Sequence, residues 1–331
     1  MKLTREEREK IARKRLISVL NRHGGALART LEQKISDAGP SGQRIDPHIL
    51  TSVRNALVKE GRLFRLRKAN VPWFHLKETP VVVLQKRLAE QVPVFQALNH
   101  GSLSKRLGQT LEIATYRALL ESGSEFFGRF KDLNAHDDGT LYAKEEPPQH
   151  IGSRSLSGDQ RLDFLARHPE AGHLGIECKN VREWLYPDRQ EINEVLSKCI
   201  TLDSVPVLIG RRIPYVTFIL LTTCGVIVHQ NYNQLLPAAD AALADQARHK
   251  LLLGYHDIRT GNEPDDRLLT FITKNLMEIA PEARAKFDAY KDLLEAFTSK
   301  EMPYTEFAAR VRRRSLGQKE DNDFPDSADW E

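Results

Sequence analysis

Cysteine is scarce, with only Cys178, Cys199 and Cys224 among 331 residues. An odd count without metal-ligand spacing excludes a disulfide framework and a thiolate zinc site, so the three read as reduced core residues of a cytoplasmic protein. Long hydrophobic runs are missing too. No apolar stretch approaches the roughly 20 residues that span a bilayer, so no membrane helix is expected. The opening MKLTREER is too charged for a signal peptide. No P-loop, dinucleotide fingerprint, Ser/His/Asp arrangement or internal repeat rises above chance. A strong net charge is also absent, but the balance of +4 conceals an uneven distribution. Residues 1–79 hold 18 Lys+Arg against 8 Asp+Glu, residues 315–331 hold 1 against 6, and the remainder holds 30 against 31. A basic N-terminal module on a neutral body points to a polyanion partner at that end. At 40% hydrophobic, the chain is long enough for two domains with separate cores.

What the sequence does contain is a hairpin with charge on one side. Two apolar runs, Leu162–Ala166 and Leu174–Lys179, are joined by His168-Pro169-Glu170-Ala171-Gly172-His173. Pro, Gly and short polar residues between apolar runs punctuate a hairpin. Alternation along a strand sends Glu177 and Lys179 to one face and Ile176 and Cys178 to the other. Pairing with the neighbouring strand adds Asp163, which places two carboxylates and one amine on a single patch. Carboxylates that close repel, and a divalent cation relieves the repulsion by taking both as oxygen ligands.

At these residues the chain resembles the PD-(D/E)XK nuclease superfamily, whose signature is an acidic residue, a variable gap, then Glu or Asp, any residue, and Lys. Here the pattern is Asp163, thirteen intervening residues, and Glu177-Cys178-Lys179, with Leu162 where the family name has Pro. The resemblance covers about residues 102–235. It implies a restriction-endonuclease-like α/β core, a central mixed sheet flanked by helices. It further implies Asp163 and Glu177 as ligands of Mg²⁺, with Mn²⁺ a substitute, and Lys179 as the group orienting water or steadying phosphate charge. Glu112, just off the apolar stripe of a helix over 102–122, is by position either an additional metal ligand or a solvent-facing glutamate. Gln190 is followed four residues later by Glu194, so the RecB-like branch, with Gln-x-x-x-Tyr on that helix, is not supported. Asp159 is a competing acid in a polar turn, and His136-Asp137-Asp138 reads more cheaply as a hydrophilic turn than as a metal cluster.

Ahead of this core, helical patterns cover Thr4–Arg22, Ala26–Ala38 and Asp46–Glu60. Two short strands follow around Lys68-Ala69-Asn70. Three helices and a β-ribbon resemble a winged helix-turn-helix domain over about residues 4–78. That resemblance puts Thr51, Ser52, Arg54 and Asn55 forward on the third helix, and Arg65, Arg67 and Lys68 on the wing. The alternative is a winged helix used for protein contacts.

Residues 80–101 read as a linker helix, and Phe126–Leu133 as the first strand of the sheet. The segment 145–158 reads as an exposed loop whose Arg154, with Arg161 beyond it, either meets phosphate or is merely solvated. A helix is expected over 188–202, strands over Val205–Gly210, Thr217–Thr223 and Gly225–His229, and helices over 235–253, 266–279 and 283–297. The nuclease domain thus runs over 102–300, and 301–331 forms an extension with an acidic tail of little apolar content, expected to be disordered. Together these features predict a metal-dependent DNA endonuclease targeted by its winged helix, suited to restriction or phage defence. The alternatives are a DNA-binding regulator or scaffold with a silent nuclease fold, and a nuclease activated by a partner subunit. A homodimer would supply the second cut that duplex DNA requires.

Overall fold

Thr4 opens the first helix, α1 (Arg5–His23), because its hydroxyl accepts from the Glu7 amide at 3.2 Å while the Glu7 carboxylate reaches back to the Thr4 amide at 2.8 Å. Two orphan donors of the helix end are satisfied reciprocally. The computed structural model describes residues 3–36, 44–135 and 138–320. Two units emerge, one comprising 1–104 with 240–260 and the other 105–239 with 261–331. The acidic tail expected to be disordered lies, from residue 321 onward, outside the described residues.

In the first unit, α1 is followed by β1 (Ala26–Leu27), α2 (Ala28–Ile35), α3 (Pro47–Lys59), β2 (Leu63–Lys68), β3 (Val71–Leu76) and α4 (Val81–Leu98). The helix expected from Ala26 starts two residues late, since Ala26 and Leu27 pair with Phe74 and Trp73 of β3. Its expected end at Ala38 falls outside the described residues. Asp46 and Pro47 begin α3 as anticipated. Ala69 and Asn70 both take positive φ, 49° and 61°, the backbone that a two-residue hairpin turn needs. Leu16, Leu20, Leu31, Leu50, Leu57 and Phe74 are among the core residues shared by α1–α3 and the sheet. The stretch 80–101, expected to link two domains, packs instead on this unit. Gln91 Nε2 of α4 donates to Gly25 O at 3.2 Å, and the Phe95 ring meets Trp73 edge-on at 6.1 Å. No described helix is long and apolar enough to cross a membrane.

The second unit is a mixed sheet between helices. It starts with α5 (Gly101–Ser122), β4 (Phe126–Phe127), β5 (Arg129–Phe130), β6 (Lys144–Glu145), β7 (His150–Ile151) and β8 (Arg154–Ser155). Then come β9 (Phe164–His168), β10 (Gly172–Lys179), α6 (Gln190–Leu202), β11 (Val205–Gly210), α7 (Tyr215–Thr223) and β12 (Ile227–Gln230). The strand order is β12-β11-β10-β9-β4, with β10, β11 and β12 parallel and β9 antiparallel to both of its neighbours. One face buries Phe164, Ile176, Cys178, Val207 and Ile227 beneath α5 and the helix Leu276–Ala289. The other buries Leu165 and Leu208 beneath α6, α7, Lys291–Thr298 and Tyr304–Ser315.

Several expected elements differ. Thr217–Thr223 is helical, not a strand. Its unbroken apolar run suits either state, but β11 and β12 are parallel, and parallel neighbours need a crossover between them. The single strand expected over 126–133 is split, because Gly128 turns the chain at φ +100°. Short strands interrupt the segment 145–158, where a structureless loop was expected. The helix expected over 235–253 shrinks to Ala241–Arg248, because Gln234–Leu236 forms a short strand ahead of Pro237.

The break expected near Pro281 does not occur, and the helix Leu276–Ala289 runs through it. Proline leaves the carbonyl four residues earlier without its helical donor. His168 Nε2 donates to that carbonyl, Met277 O, at 3.0 Å. The other ring nitrogen of His168 accepts from the Glu170 and Ala171 amides at 3.1 and 2.9 Å. One imidazole therefore closes the β9–β10 turn and repairs the proline helix.

Candidate active site

The β9–β10 register pairs Phe164 with Ile176, and the Asp163 amide extends the ladder by donating to Ile176 O at 3.1 Å. Alternation then puts Asp163, Glu177 and Lys179 on one face, as the sequence predicts, with Phe164, Ile176 and Cys178 in the opposite core. Asp163 Oδ2 accepts from the Cys178 amide at 2.7 Å, which fixes its rotamer. Gly128 backs the same residue. A Cβ there would stand 2.7 Å from Asp163 O, so only glycine lets the β4 edge pass so close.

Glu177 lies in a fully packed strand and is only 2% exposed. Its carboxylate receives Lys179 Nζ at 3.1 Å and, in closer contact, Lys198 Nζ from α6. Lys198 arrives because α6 lies almost on the strand. A Cβ at Gly175, two residues before Glu177 and on its face, would meet Cys199 Sγ at 2.6 Å and Ser204 Oγ at 2.8 Å. Lys198 was not singled out from the sequence, yet it follows Glu194 by one helical turn on the same helix, α6.

Glu112 does not face solvent alone. Lys144 Nζ binds its Oε2 at 2.7 Å, and the same ammonium lies 4.8 Å from the Phe164 ring centroid and 5.3 Å from that of Phe130. Lys144, on β6, is a second residue that sequence reasoning missed. Nothing in its local pattern marks it.

These charges shape one another. Burial, then the charges of Glu177 and Glu112, push the Asp163 carboxyl well above the usual aspartate range, with Lys144 and Lys179 pulling the other way. Burial works against the charge of Lys179, but Glu177 and Asp163 hold its ammonium above the ordinary lysine range. Lys144 behaves likewise, with burial outweighed by Glu112 and Asp163. Burial pushes the Cys178 thiol well up, with Asp163 adding to the shift, which leaves that thiol inert.

An open cleft of about 620 Å³ gives access, lined by Glu112, Lys144, Asp163, Glu194 and Lys198. Asp159, the competing acid, is exposed on its rim, outside the strand ladder. Arg161 also lines the cleft, while Arg154 pairs with Asp203 at 2.5 Å. His136 and Asp137 lie outside the described residues. Asp138 is buried, accepting from the Tyr142 hydroxyl and the Ala238 amide.

Among the described residues, no three His, Cys, Asp or Glu side chains are gathered as a metal-binding group. The donor chemistry nevertheless fits a hard divalent cation. Asp163, Glu177 and Glu112 offer carboxylate oxygens, and the first feels the charge of the other two.

In the first unit, Ser52 and Asn55 are exposed and Thr51 is half-buried. Arg54, expected to point outward, turns onto Phe74 instead, its guanidinium 4.9 Å from the ring centroid, and burial lowers its pKa. Phe74 draws it in by a cation–π contact. Arg65 donates to Asn55 Oδ1 at 3.1 Å, and Arg67 and Lys68 are exposed on β2. Beside Ser52 and Ala56, a groove of about 480 Å³ is lined on α1 by Glu6, Glu7, Glu9, Lys10 and Arg13. Comparisons with family models, curated proteins and solved structures return no match for this chain.

Proposed function

We propose that this protein is a metal-dependent DNA endonuclease whose second unit cuts phosphodiester bonds and whose first unit binds DNA as a winged helix. The observation that carries the reading is Glu177. An almost wholly buried carboxylate flanked by two lysines, beside an aspartate whose pKa is raised, is costly to a fold and useful to a site. Asp163 and Glu177, with Glu112, would hold Mg²⁺ or Mn²⁺. Such an ion supplies charge relief on the phosphate and an activated water.

The chain's own residues do the rest. Asp163 and Glu177 are pinned by the Cys178 amide and by lysines, so they are oriented in advance of substrate. Lys179 stays protonated at neutral pH because its carboxylate neighbours favour the ammonium. It therefore serves as a donor and a positive charge beside the scissile phosphate, not as a general base. The test is nicking of supercoiled plasmid in Mg²⁺, Mn²⁺ or EDTA, with Asp163→Ala as control. Cleavage that needs the ion and vanishes in the variant supports the proposal; no cleavage of plasmid or short duplexes by the wild type overturns it.

DNA reading is assigned to Asn55, Arg65, Arg67 and Lys68, the side of α3 and the wing away from the three α1 glutamates. Ser52 lines the groove that holds those glutamates, and Arg54 lies over the Phe74 ring. Replacing both Arg67 and Lys68 by Ala is expected to weaken duplex binding and to flatten the log–log salt dependence by about 2, roughly 1 per lost phosphate contact. Titrations of the full chain at several salt concentrations check this, and an unchanged slope would remove the wing from the interface. A basic reader joined to a cutting unit suits selective cleavage, as in restriction or phage defence.

A further inference from the structure

Two of the three lysines at the site lie outside the Asp, Glu-x-Lys pattern. Lys198 comes from α6 and binds Glu177, while Lys144 comes from β6 and binds Glu112 at 2.7 Å. Their side chains are only 13% and 6% exposed, yet both border the open cleft. Carboxylates this buried are tolerated only when opposite charge stands against them. An ammonium and a divalent cation cannot share the same carboxylate oxygens without strong repulsion.

We propose that Lys144 and Lys198 are resident counter-ions of the carboxylate cluster, which supply its positive charge in the free protein and leave it for DNA phosphates when a divalent cation is bound. The inference rests on the nuclease reading. Both residues line a cleft already open, towards which a flexible four-carbon stem can swing. Each lysine then has two roles that exclude one another. In the free protein it competes with the ion; in the complex it steadies the backbone flanking the cut bond. Phosphates that draw the ammoniums away thereby favour the ion, and by linkage the ion favours DNA to the same degree. Binding of DNA itself would arm the site.

The test reads metal binding, not cleavage. Full-length wild type, Lys198→Met, Lys144→Met and Lys198→Arg are titrated with Mn²⁺ alone, without DNA, and free Mn²⁺ is followed by electron paramagnetic resonance. Methionine keeps the stem's bulk and removes the charge, so either methionine variant is expected to bind Mn²⁺ at least about tenfold more tightly than wild type. Lys198→Arg keeps the charge and stays near wild-type affinity, which a merely structural role for the stem would not predict. Far-UV circular dichroism confirms the fold of each variant, and the two lysines on separate elements give independent chances of a folded protein. Equal or weaker Mn²⁺ binding in the methionine variants, or no binding by any protein, overturns the inference. Plasmid cleavage by the wild type is scored apart, so failure of the nuclease reading shows there and failure of the counter-ion role shows in the titration.

Discussion

Asp163→Asn is expected to abolish Mg²⁺-dependent cleavage, a loss of a thousandfold or more on the scale of other charge-stabilising groups, on the order of 10³, and at the same time to raise the thermal midpoint by several degrees. The two effects have one cause. In the folded chain, burial and then Glu177 and Glu112 push the Asp163 carboxyl well above its unfolded value. A raised carboxyl stabilises the fold only below the ordinary aspartate range, and that contribution is lost as pH rises through the raised value. At neutral pH the wild type therefore bears a cost, whether of ionising the buried carboxyl or of keeping it protonated, that asparagine lacks, while the amide oxygen still accepts from Cys178 N. Melting in EDTA from pH 4 to pH 8 should show the gap between variant and wild type widening as pH rises. A variant less stable than wild type at pH 7 would show that Asp163 is not the strained member of the cluster.

Glu177→Gln should be equally inactive but opposite in stability. The wild-type carboxylate is the counter-charge for Lys179 and Lys198, whose side chains are 19% and 13% exposed. Removing one partner of a buried pair leaves the other charges uncompensated, at a cost of about 3–5 kcal/mol. The lower end applies here, since Lys198 borders the cleft and can turn to water. Urea unfolding of the second unit at pH 7 measures the loss. Unchanged stability would mean that the lysines do not depend on Glu177. Two neighbouring carboxylates would then differ in the sign of their effect on folding, which separates a strained buried acid from one that neutralises two lysines.

The sequence made some of this legible because the signals were local. Period-two alternation puts Asp163, Glu177 and Lys179 on one face, and turn residues locate the hairpin between them. The start of a helix at Asp46 and the turn at Ala69-Asn70 were read in the same way. What was missed depends on distant approach. Lys198 reaches Glu177 only because Gly175 lets α6 settle on the strand, and Lys144 sits in a segment with no periodicity to read. Arg54 looked like an outward-facing residue by helix spacing, but Phe74, twenty residues later, recaptured it. The strand expected over 217–223 failed for want of topology, since its wholly apolar composition fits a helix as well once β11 and β12 are known to be parallel.

The imidazole of His168 joins a turn to a carbonyl 109 residues further along the chain. During synthesis, at roughly 5–20 residues per second, that interval lasts about 5–20 s. Throughout it the hairpin that carries Asp163 and Glu177 exists without the helix that fastens its turn. The newborn polypeptide thus carries the charge-cluster hairpin with its turn unfastened until the residues around Met277 have been made.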